Sequence, residues 1–323
     1  MLENVGTTIG RWLIRRGIQA RNQTRRLAIL IYHRVLAAPD PMRDYDVDAA
    51  TFRAQMAHIG RFFNVLPLSE SAVRLSEGTL PAAAVSITFD DGYRDNATVA
   101  LPILRELGLP ATFFISSGYL NGGVMWNDAV IEWVRNLPDG DIDLTTHGVG
   151  IRSLNDAHAR ATLATDLLKS LKYLEYSRRI STVEKLTAGC AVPSGLMMQP
   201  EEVRLLSRSG MEIGGHTRTH PILARLPDED ARGEIEGGKA DLEAIIGKPI
   251  SMFAYPNGKP GTDYLDKHVE MVKKAGFTTA VSTCAKVAGR SSDRWQLPRF
   301  TPWDKTPWRY GLRLALQFRN SDV

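Results

Sequence analysis

Residues 85–94 read VSITFDDGYR, and this stretch joins the pattern of a buried strand to a pair of adjacent carboxylates. Its first half alternates apolar and other side chains, with the apolar positions at Val85, Ile87 and Phe89. Asp90 and Asp91 follow at once, and a glycine comes next. Two like charges at the end of a buried strand repel each other. The pair therefore predicts either a turn with a capping aspartate or a site that holds a cation.

Six further segments share this strand-like character, and helical patterns lie between several of them. The segments are residues 27–33, 111–116, 211–216, 250–255, 277–283 and 294–300. Such alternation is typical of a mostly parallel sheet covered by helices. We predict an α/β fold in which about seven strands close into a barrel, although a doubly wound open sheet would give almost the same pattern. Residues 121–198 interrupt the alternation without a convincing strand, and we interpret them as a helical insertion.

Composition is that of an ordinary soluble globular protein, with 43% apolar and 24% charged residues. The net charge of +4 is too small to indicate a nucleic-acid partner. Basic residues nevertheless concentrate at both ends: residues 1–26 contain six arginines and one acid, and residues 303–323 again mix arginines with apolar residues. Each segment is predicted either to lie as a basic amphipathic helix on an anionic membrane surface or to pack on the central domain, residues 27–302.

The sequence also bears on the compartment of the protein. It contains no apolar run of the ~18–20 residues that a membrane span needs, and no apolar stretch typical of a secretory signal follows the charged start. Cys190 and Cys284 match no metal or redox spacing. We therefore expect a cytoplasmic protein that is peripheral to the inner face of a membrane.

Two histidines follow another predicted strand, in the sequence GGHTRTH at residues 214–220. Because ligands gather at the carboxyl ends of parallel strands, we expect His216 and His220 to lie near the aspartate pair. One aspartate with two histidines is a common set of ligands for a divalent metal. The cation would offset the repulsion within the pair and leave the second aspartate free to act as a base. The alternative is a simple turn beside ordinary loop histidines.

Together these motifs resemble those of the polysaccharide deacetylases of the NodB-homology type (carbohydrate esterase family four). TFDDGY (88–93) and HTRTH (216–220) resemble the first two motifs of the family, SMFAYPNG (251–258) resembles the third, and RWQLPRF (294–300) lies where the later ones occur. The resemblance covers residues 27–302. It implies a distorted (β/α) barrel and the metal-dependent removal of an acetyl group from an N-acetylated sugar.

The resemblance also assigns roles to individual residues. It implies that Asp90 is the general base and that Asp91, His216 and His220 are the metal ligands. Zinc is expected first, and cobalt or nickel would also suit these ligands.

Two positions depart from the pattern of the family. Ala254 stands where many members have an orienting arginine, and Arg299 stands where they have the histidine that acts as general acid. We predict that Arg299 orients Asp90 instead, with its planar guanidinium. Tyr32-His33 resembles a Tyr-His of the branch that acts on poly-N-acetylglucosamine, so His33 is predicted to protonate the leaving amine. The alternative for His33 is a buried histidine bonded to a backbone carbonyl.

Three more residues are predicted to contact the substrate. The backbone N–H of Tyr93 or of Asn257 would donate to the oxyanion, and Trp126 would either stack on a sugar ring or belong to the core of the insertion. We expect the substrate to be an N-acetylated glycan or lipid-linked sugar in the synthesis of surface polysaccharide or glycolipid. The alternatives are a deformylase or small-amide hydrolase with the same metal site, and an inactive scaffold that binds glycans or membranes.

Overall fold

The computed structural model describes residues 25–190, 193–301 and 304–320. The strands are β1 (Leu27–Tyr32), β2 (Val35–Leu36), β3 (Val47–Asp48), β4 (Asn64–Val65), β5 (Ala84–Phe89), β6 (Thr112–Ile115), β7 (Gly140–Leu144), β8 (Gly150–Leu154), β9 (Glu212–Gly215), β10 (Met252–Ala254) and β11 (Thr279–Val281). The helices are α1 (Ala49–Phe62), α2 (Leu68–Glu77), α3 (Leu101–Glu106), α4 (Trp126–Arg135), α5 (Ala157–Lys172), α6 (Tyr176–Leu186), α7 (Pro200–Arg208), α8 (Asp228–Ile246), α9 (Asp266–Lys274) and α10 (Pro307–Asn320).

A curled parallel sheet forms the centre of the fold, in the order β1-β5-β6-β9-β10-β11, with β4 paired to the start of β5. Every residue of β1 and of β5 is buried, as expected of parallel strands that are covered on both faces. The prediction of an α/β fold is confirmed, and the sheet has the curvature of a distorted (β/α) barrel.

Residues 294–300 close this barrel without forming a regular strand. Leu297 bridges to Val281 in β11, and Phe300 bridges to Leu30 in β1. The Leu297 N–H donates to the carbonyl of Ala280 at 2.9 Å, and the Phe300 N–H donates to the main chain of β1 at 2.9 Å. Residues 294–300, predicted as the seventh strand, therefore join the edge strands β11 and β1 through two isolated bridges and form no regular strand.

Helix ends follow the capping residues that the sequence supplies. The Asp48 carboxylate accepts hydrogen bonds from the N–H groups of Ala50 and Thr51 at the start of α1, at 2.9 and 3.0 Å. Pro200 begins α7, where its missing N–H has no cost. Gly210 follows α7 with a φ of +82°, a conformation that glycine adopts without strain.

The insertion at residues 121–198 is present, but the prediction that it lacks strands was wrong. Helices α4, α5 and α6 pack around a separate apolar cluster that includes Val130, Leu163 and Leu167. Between α4 and α5, β7 and β8 form an antiparallel hairpin. Most residues of this hairpin are exposed or only partly buried. A strand with little buried surface carries few apolar residues, so its sequence gives a weak signal.

The C-terminal segment packs on the barrel through α10. Tyr310 and Leu314 are fully buried, and the hydroxyl groups of Tyr310 and Tyr32 lie 2.9 Å apart. Of the two alternatives for residues 303–323, the part that the structure describes is therefore a helix packed on the domain through Tyr310 and Leu314, while Trp308 and Leu316 remain exposed. Residues 1–24 of the N-terminal segment, for which we also predicted a membrane surface, lie outside the described residues. Among the helices described, none is both long and apolar enough to span a bilayer.

Gly214 in β9 is needed because the ring of Phe114 lies directly against it. A Cβ at this position would be 2.4 Å from Phe114 Cδ1 and 3.1 Å from the carbonyl oxygen of Met252. Gly214→Ala is expected to lower the free energy of unfolding by about 1–3 kcal/mol, because the core must shift to admit a methyl group. Urea denaturation measures the effect.

The matched control is Gly233→Ala at an exposed position of α8. No atom outside the backbone of its own helix lies within 4 Å of the new Cβ. This variant should be neutral or gain about 0.5–1 kcal/mol of helix propensity. Equal stability of the two variants would show that the space beside Phe114 is larger than the structure indicates.

Candidate active site

Asp90 and Asp91 follow β5 at the carboxyl edge of the sheet, and His216 follows β9 two strands away. Backbone hydrogen bonds continue the sheet through these residues. The Asp90 N–H donates to the carbonyl of Tyr32 at 2.9 Å, and the His216 N–H donates to that of Ile115 at 3.1 Å. The main chain of the site is therefore fixed by the same ladder that builds the barrel.

Asp91, His216 and His220 form a cluster whose ligand atoms all lie within 4.8 Å of one another. Asp91 Oδ1 is 3.4 Å from Nε2 of each histidine. His216 Nδ1 lies 2.8 Å from the carbonyl oxygen of Ala254. This bond places the proton of the ring on Nδ1 and leaves Nε2 free to act as a ligand.

The cluster fits a divalent cation. Among the described residues, the buried Oδ1 of Asp91 makes no hydrogen bond of normal geometry, although it faces two imidazoles. Burial lowers the pKa of His220 to about 4, against the opposing attraction of Asp91, so its imidazole is neutral near pH 7. Burial acts to lower the pKa of His216, but Asp90 and Asp91 outweigh it and raise that pKa. A cation would displace a proton there, since a neutral imidazole and an ionised carboxylate are the forms that bind metals. The residues present therefore match the ligand set that the sequence predicted.

Backbone strain is concentrated at the same place. Asp91 has a φ of +76° and His220 a φ of +53°, and Thr217 and Asn257 are also in the left-handed region. Non-glycine residues rarely adopt this conformation, and it is found preferentially at functional sites, where surrounding contacts hold it.

Asp90 is held by Arg299, as the sequence predicted. The guanidinium donates two hydrogen bonds to the carboxylate, at 2.6 and 2.7 Å, and a third to the carbonyl of Ser282 at 3.0 Å. Burial acts to raise the pKa of Asp90, but the charges of Arg299 and His216 outweigh it and hold the pKa below its ordinary value. Asp90 is therefore an ionised carboxylate with a fixed orientation.

His33 lies at the exposed rim of a cavity of about 550 Å³ that is also lined by Asp90, Asp91, His216 and His220. The alternative of a buried histidine bonded to a backbone carbonyl is wrong, because the side chain is exposed. The carbonyl of His33 accepts a hydrogen bond from Asn96 Nδ2 at 2.8 Å, which anchors its backbone. The structure places His33 with the other candidate residues, and its role as an acid remains a prediction.

Tyr93, Trp126 and Asn257 line the same cavity. The Tyr93 side chain is buried and its hydroxyl donates to Asp128 at 2.9 Å, so the backbone of Tyr93 is rigidly placed. Trp126 combines both predicted alternatives, since it lines the cavity and also packs on the apolar cluster of the insertion. The guanidinium of Arg179 lies 5.0 Å from the centre of its ring.

The sequence profile of the polysaccharide deacetylase family matches residues 77–280, nearly two thirds of the chain. The chain belongs to the polysaccharide deacetylase family. The matched range contains Asp90, Asp91, His216 and His220. His33 and Arg299 lie outside it, so the match does not bear on the roles predicted for them.

Two relatives illustrate the likeness. Poly-beta-1,6-N-acetyl-D-glucosamine N-deacetylase of Staphylococcus aureus (strain MSSA476) is 27% identical over 187 residues, which are 54% of this chain and 61% of that protein. The match thus spans about three fifths of the length of this curated relative. A Bacillus subtilis (strain 168) protein, YxkH, which is named for the same family, is 34% identical over 276 residues, which are 85% of this chain and 70% of that protein.

Two solved structures illustrate the shared fold. Streptococcus pyogenes deacetylase PplD, in complex with acetate, superposes with a TM-score of 0.61 at 17% identity and covers 91% of this chain and 99% of its own. IcaB from Ammonifex degensii gives a TM-score of 0.59 at 20% identity, with 91% and 98% covered. At these identities the likeness concerns the fold.

Asp46 is a residue of this cavity that the sequence analysis missed. Asp46 lines the cavity, and its Oδ2 is buried without a hydrogen bond among the described residues. Burial raises the pKa of Asp46 to about 7, against the opposing charges of His33 and Arg34. Nothing in the sequence separates Asp46 from two neighbours, Asp44, which is exposed, and Asp48, which caps α1.

Asp46→Asn is expected to change the pH dependence of the stability of the protein. Because the pKa of Asp46 in the folded protein lies above its value in the unfolded chain, its ionisation costs stability as the pH rises from about 4 to about 7. Asparagine does not ionise, so the variant does not lose this stability. The free energy of unfolding of the variant minus that of the parent should be about 1–3 kcal/mol larger at pH 8 than at pH 5.

Urea denaturation in the presence of a chelator, at both pH values, makes the comparison without a bound cation. Asp44→Asn is the control, because the Asp44 side chain is 85% exposed and its replacement should give no pH-dependent difference. If Asp46→Asn changes the free energy of unfolding by the same amount at pH 5 and at pH 8, then Asp46 titrates as an ordinary carboxyl group.

Proposed function

We propose that the protein is a metal-dependent N-deacetylase that removes acetyl groups from N-acetylated sugar units in the synthesis of surface polysaccharide or glycolipid. One observation carries the proposal. A carboxylate held by an arginine, Asp90, directly adjoins a cluster of one carboxylate and two imidazoles that suits a divalent cation. The name of the Staphylococcus aureus relative, a poly-beta-1,6-N-acetyl-D-glucosamine N-deacetylase, supports the class of substrate.

Asp91, His216 and His220 would hold the cation, which would supply Lewis acidity and lower the pKa of a water molecule. Zinc is the first candidate, since carboxylate and imidazole ligands suit it as well as cobalt and nickel.

The other residues of the chain would move the protons. Asp90, kept ionised by Arg299, would accept a proton from the attacking water. His33 would donate a proton to the nitrogen as the amide C–N bond breaks, which releases acetate and a free amine. The backbone N–H of Tyr93 or Asn257 would stabilise the charge that develops on the carbonyl oxygen.

The test is acetate release from a β-1,6-linked N-acetylglucosamine tetrasaccharide by protein stripped of metal and then supplied with zinc, cobalt or nickel. We expect release only after a metal is added. An N-formylated tetrasaccharide and a simple acetamide are the comparison substrates. Faster turnover of either would favour a deformylase or a small-amide hydrolase. Binding of the tetrasaccharide without any acetate release would favour an inactive scaffold and would refute the proposal.

His33→Ala is expected to lower the rate of deacetylation by a factor on the order of 10²–10⁴, the usual contribution of a general acid. Zinc affinity should stay within a few-fold of the parent, because His33 is not among the three ligands. His158→Ala is the control, since His158 is an exposed histidine near the start of α5. Equal rates for His33→Ala and the parent would mean that another group protonates the amine.

A further inference from the structure

One face of α5 forms a wall of the active-site cavity. Thr165, Leu168, Lys169 and Lys172 all line it. Their spacing of three, four and seven residues from Thr165 places them on a single face of the helix. The insertion therefore contributes two lysine side chains to the lining of the cavity that also contains Asp90 and Asp91.

Four arginines of the insertion and the cavity are paired with carboxylates, whereas Arg179 donates to the backbone carbonyl of Lys172 at 3.0 Å. Within the insertion, Arg160 pairs with Asp139 at 2.7 Å, and Arg152 pairs with Asp166, the single acid of α5, at 3.4 Å. The two arginines that line the cavity are also paired: Arg34 with Asp95 at 2.7 Å, and Arg43 with Asp128 at 2.7 Å.

Lys169 and Lys172 differ from these arginines. Over residues 25–190, 193–301 and 304–320, no carboxylate forms an ion pair with either ammonium group. Like charges three residues apart on a helix repel each other. Lys169 and Lys172 repel each other in this way on the side of the helix that lines the cavity, where Lys172 is partly buried. An anion bound between the two side chains would replace this repulsion by attraction.

The charges elsewhere in the cavity are already balanced. Arg299 pairs with Asp90, and the proposed cation would offset the charge of Asp91. Among the lysines and arginines that line the cavity in the described part of the chain, Lys169 and Lys172 are therefore the two without a carboxylate partner. Lys172 Nζ lies 5.3 Å from the centre of the Tyr173 ring, but a saccharide made only of neutral N-acetylated sugars would give neither lysine an anionic partner.

We propose that Lys169 and Lys172 bind an anionic substituent of the substrate, a phosphate or a carboxylate, on the saccharide whose acetyl group is removed. The inference rests on the proposed function and narrows its substrate from N-acetylated glycans in general to anionic ones.

The experiment compares three oligosaccharides: a neutral β-1,6-linked N-acetylglucosamine tetrasaccharide, the same compound with a phosphate monoester, and one with a terminal glucuronate. The measured quantity is kcat/KM for each anionic compound divided by kcat/KM for the neutral one. In the parent with zinc we expect a ratio of about 10 or more for at least one anion, falling as salt is added. The compound with the higher ratio distinguishes phosphate from carboxylate.

The variant Lys169→Gln/Lys172→Gln should reduce that ratio about tenfold, because glutamine keeps the helix propensity but removes both charges. Lys169→Arg/Lys172→Arg keeps the charges and should keep most of the preference. Lys185→Gln is the matched control, an exposed lysine of α6 outside the cavity, and should leave the ratio as in the parent. A ratio near 1 in the parent, or an unchanged ratio in the double glutamine variant, would overturn the inference.

Failure of the proposed function would be recognised separately. If the parent releases no acetate from any of the three compounds, calorimetric titration of the neutral and phosphorylated tetrasaccharides still measures binding. Tighter binding of the phosphorylated compound by the parent, lost in the double glutamine variant, would support the two lysines as an anion site without deacetylase activity. Equal binding of both compounds would refute the site as well.

Discussion

Asp91→Asn is expected to lower the affinity for zinc by on the order of 100-fold or more, and to remove metal-dependent acetate release with it. Asp91 supplies the single carboxylate of the three-residue cluster, and its Oδ1 lies 3.4 Å from both imidazole Nε2 atoms. Without that charge, two imidazoles remain, and they bind a divalent cation much less tightly. Calorimetric titration of zinc into protein that has been stripped of metal measures the loss directly.

Asparagine is a better replacement here than alanine. The φ of Asp91 is +76°, a conformation that asparagine adopts more readily than alanine. Asp91→Asn thus removes the charge without adding strain to the backbone. Asp46→Asn is the matched control, because Asp46 lines the same cavity but is not part of the cluster.

The two variants together separate a ligand from a general effect of charge. Parent-like zinc binding by Asp91→Asn would exclude Asp91 as a ligand. Equal losses in Asp91→Asn and Asp46→Asn would mean that the negative potential of the cavity, rather than a particular oxygen atom, attracts the cation.

The sequence predicted the positions of those site residues that lie at the carboxyl ends of the sheet strands. Buried parallel strands give strong apolar signals, and their carboxyl ends must meet at one edge. Asp90, Asp91 and His216 were therefore brought together correctly from segments more than 120 residues apart. Arg299 was placed near Asp90 from the resemblance of residues 294–300 to the later family motifs, and this segment closes the barrel beside β1.

Features outside the sheet were harder to predict, because amphipathic patterns show which face of an element is apolar but not what covers it. The apolar residues of α10 suited a membrane surface as well as a protein surface, and the structure shows Tyr310 and Leu314 buried in the domain. The hairpin of β7 and β8 was missed because little of it is buried.

Side chains that reach the cavity from loops and from the insertion could not be placed from sequence. Asp46 belongs to a polar loop in which its neighbours Asp44 and Asp48 look the same. Lys169 and Lys172 were not singled out from the sequence, and their place in the lining of the cavity depends on the packing of α5. These positions depend on packing between elements, which periodicity does not encode.

Asp90→Asn is expected to reduce turnover by a factor on the order of 10²–10⁴, the usual cost of losing a general base. Zinc affinity should remain within a few-fold of the parent, because Asp90 is not one of the three clustered ligands. Asparagine keeps the shape of the side chain but cannot accept the proton of the attacking water. Steady-state acetate release and calorimetric zinc titration on the same sample measure the two quantities.

Loss of the ion pair with Arg299 must be distinguished from loss of the base, because Arg299 is only 1% exposed and would be left without its carboxylate. Breaking a buried pair in this way can cost about 3–5 kcal/mol of stability. Asp95→Asn is the control, since it breaks the Arg34 ion pair at the same cavity without touching the base. Turnover that falls in Asp90→Asn but not in Asp95→Asn, with zinc binding retained in both, would identify Asp90 as the base. Loss of zinc binding in Asp90→Asn would mean instead that Asp90 is a ligand and that the roles of the two adjacent aspartates are reversed.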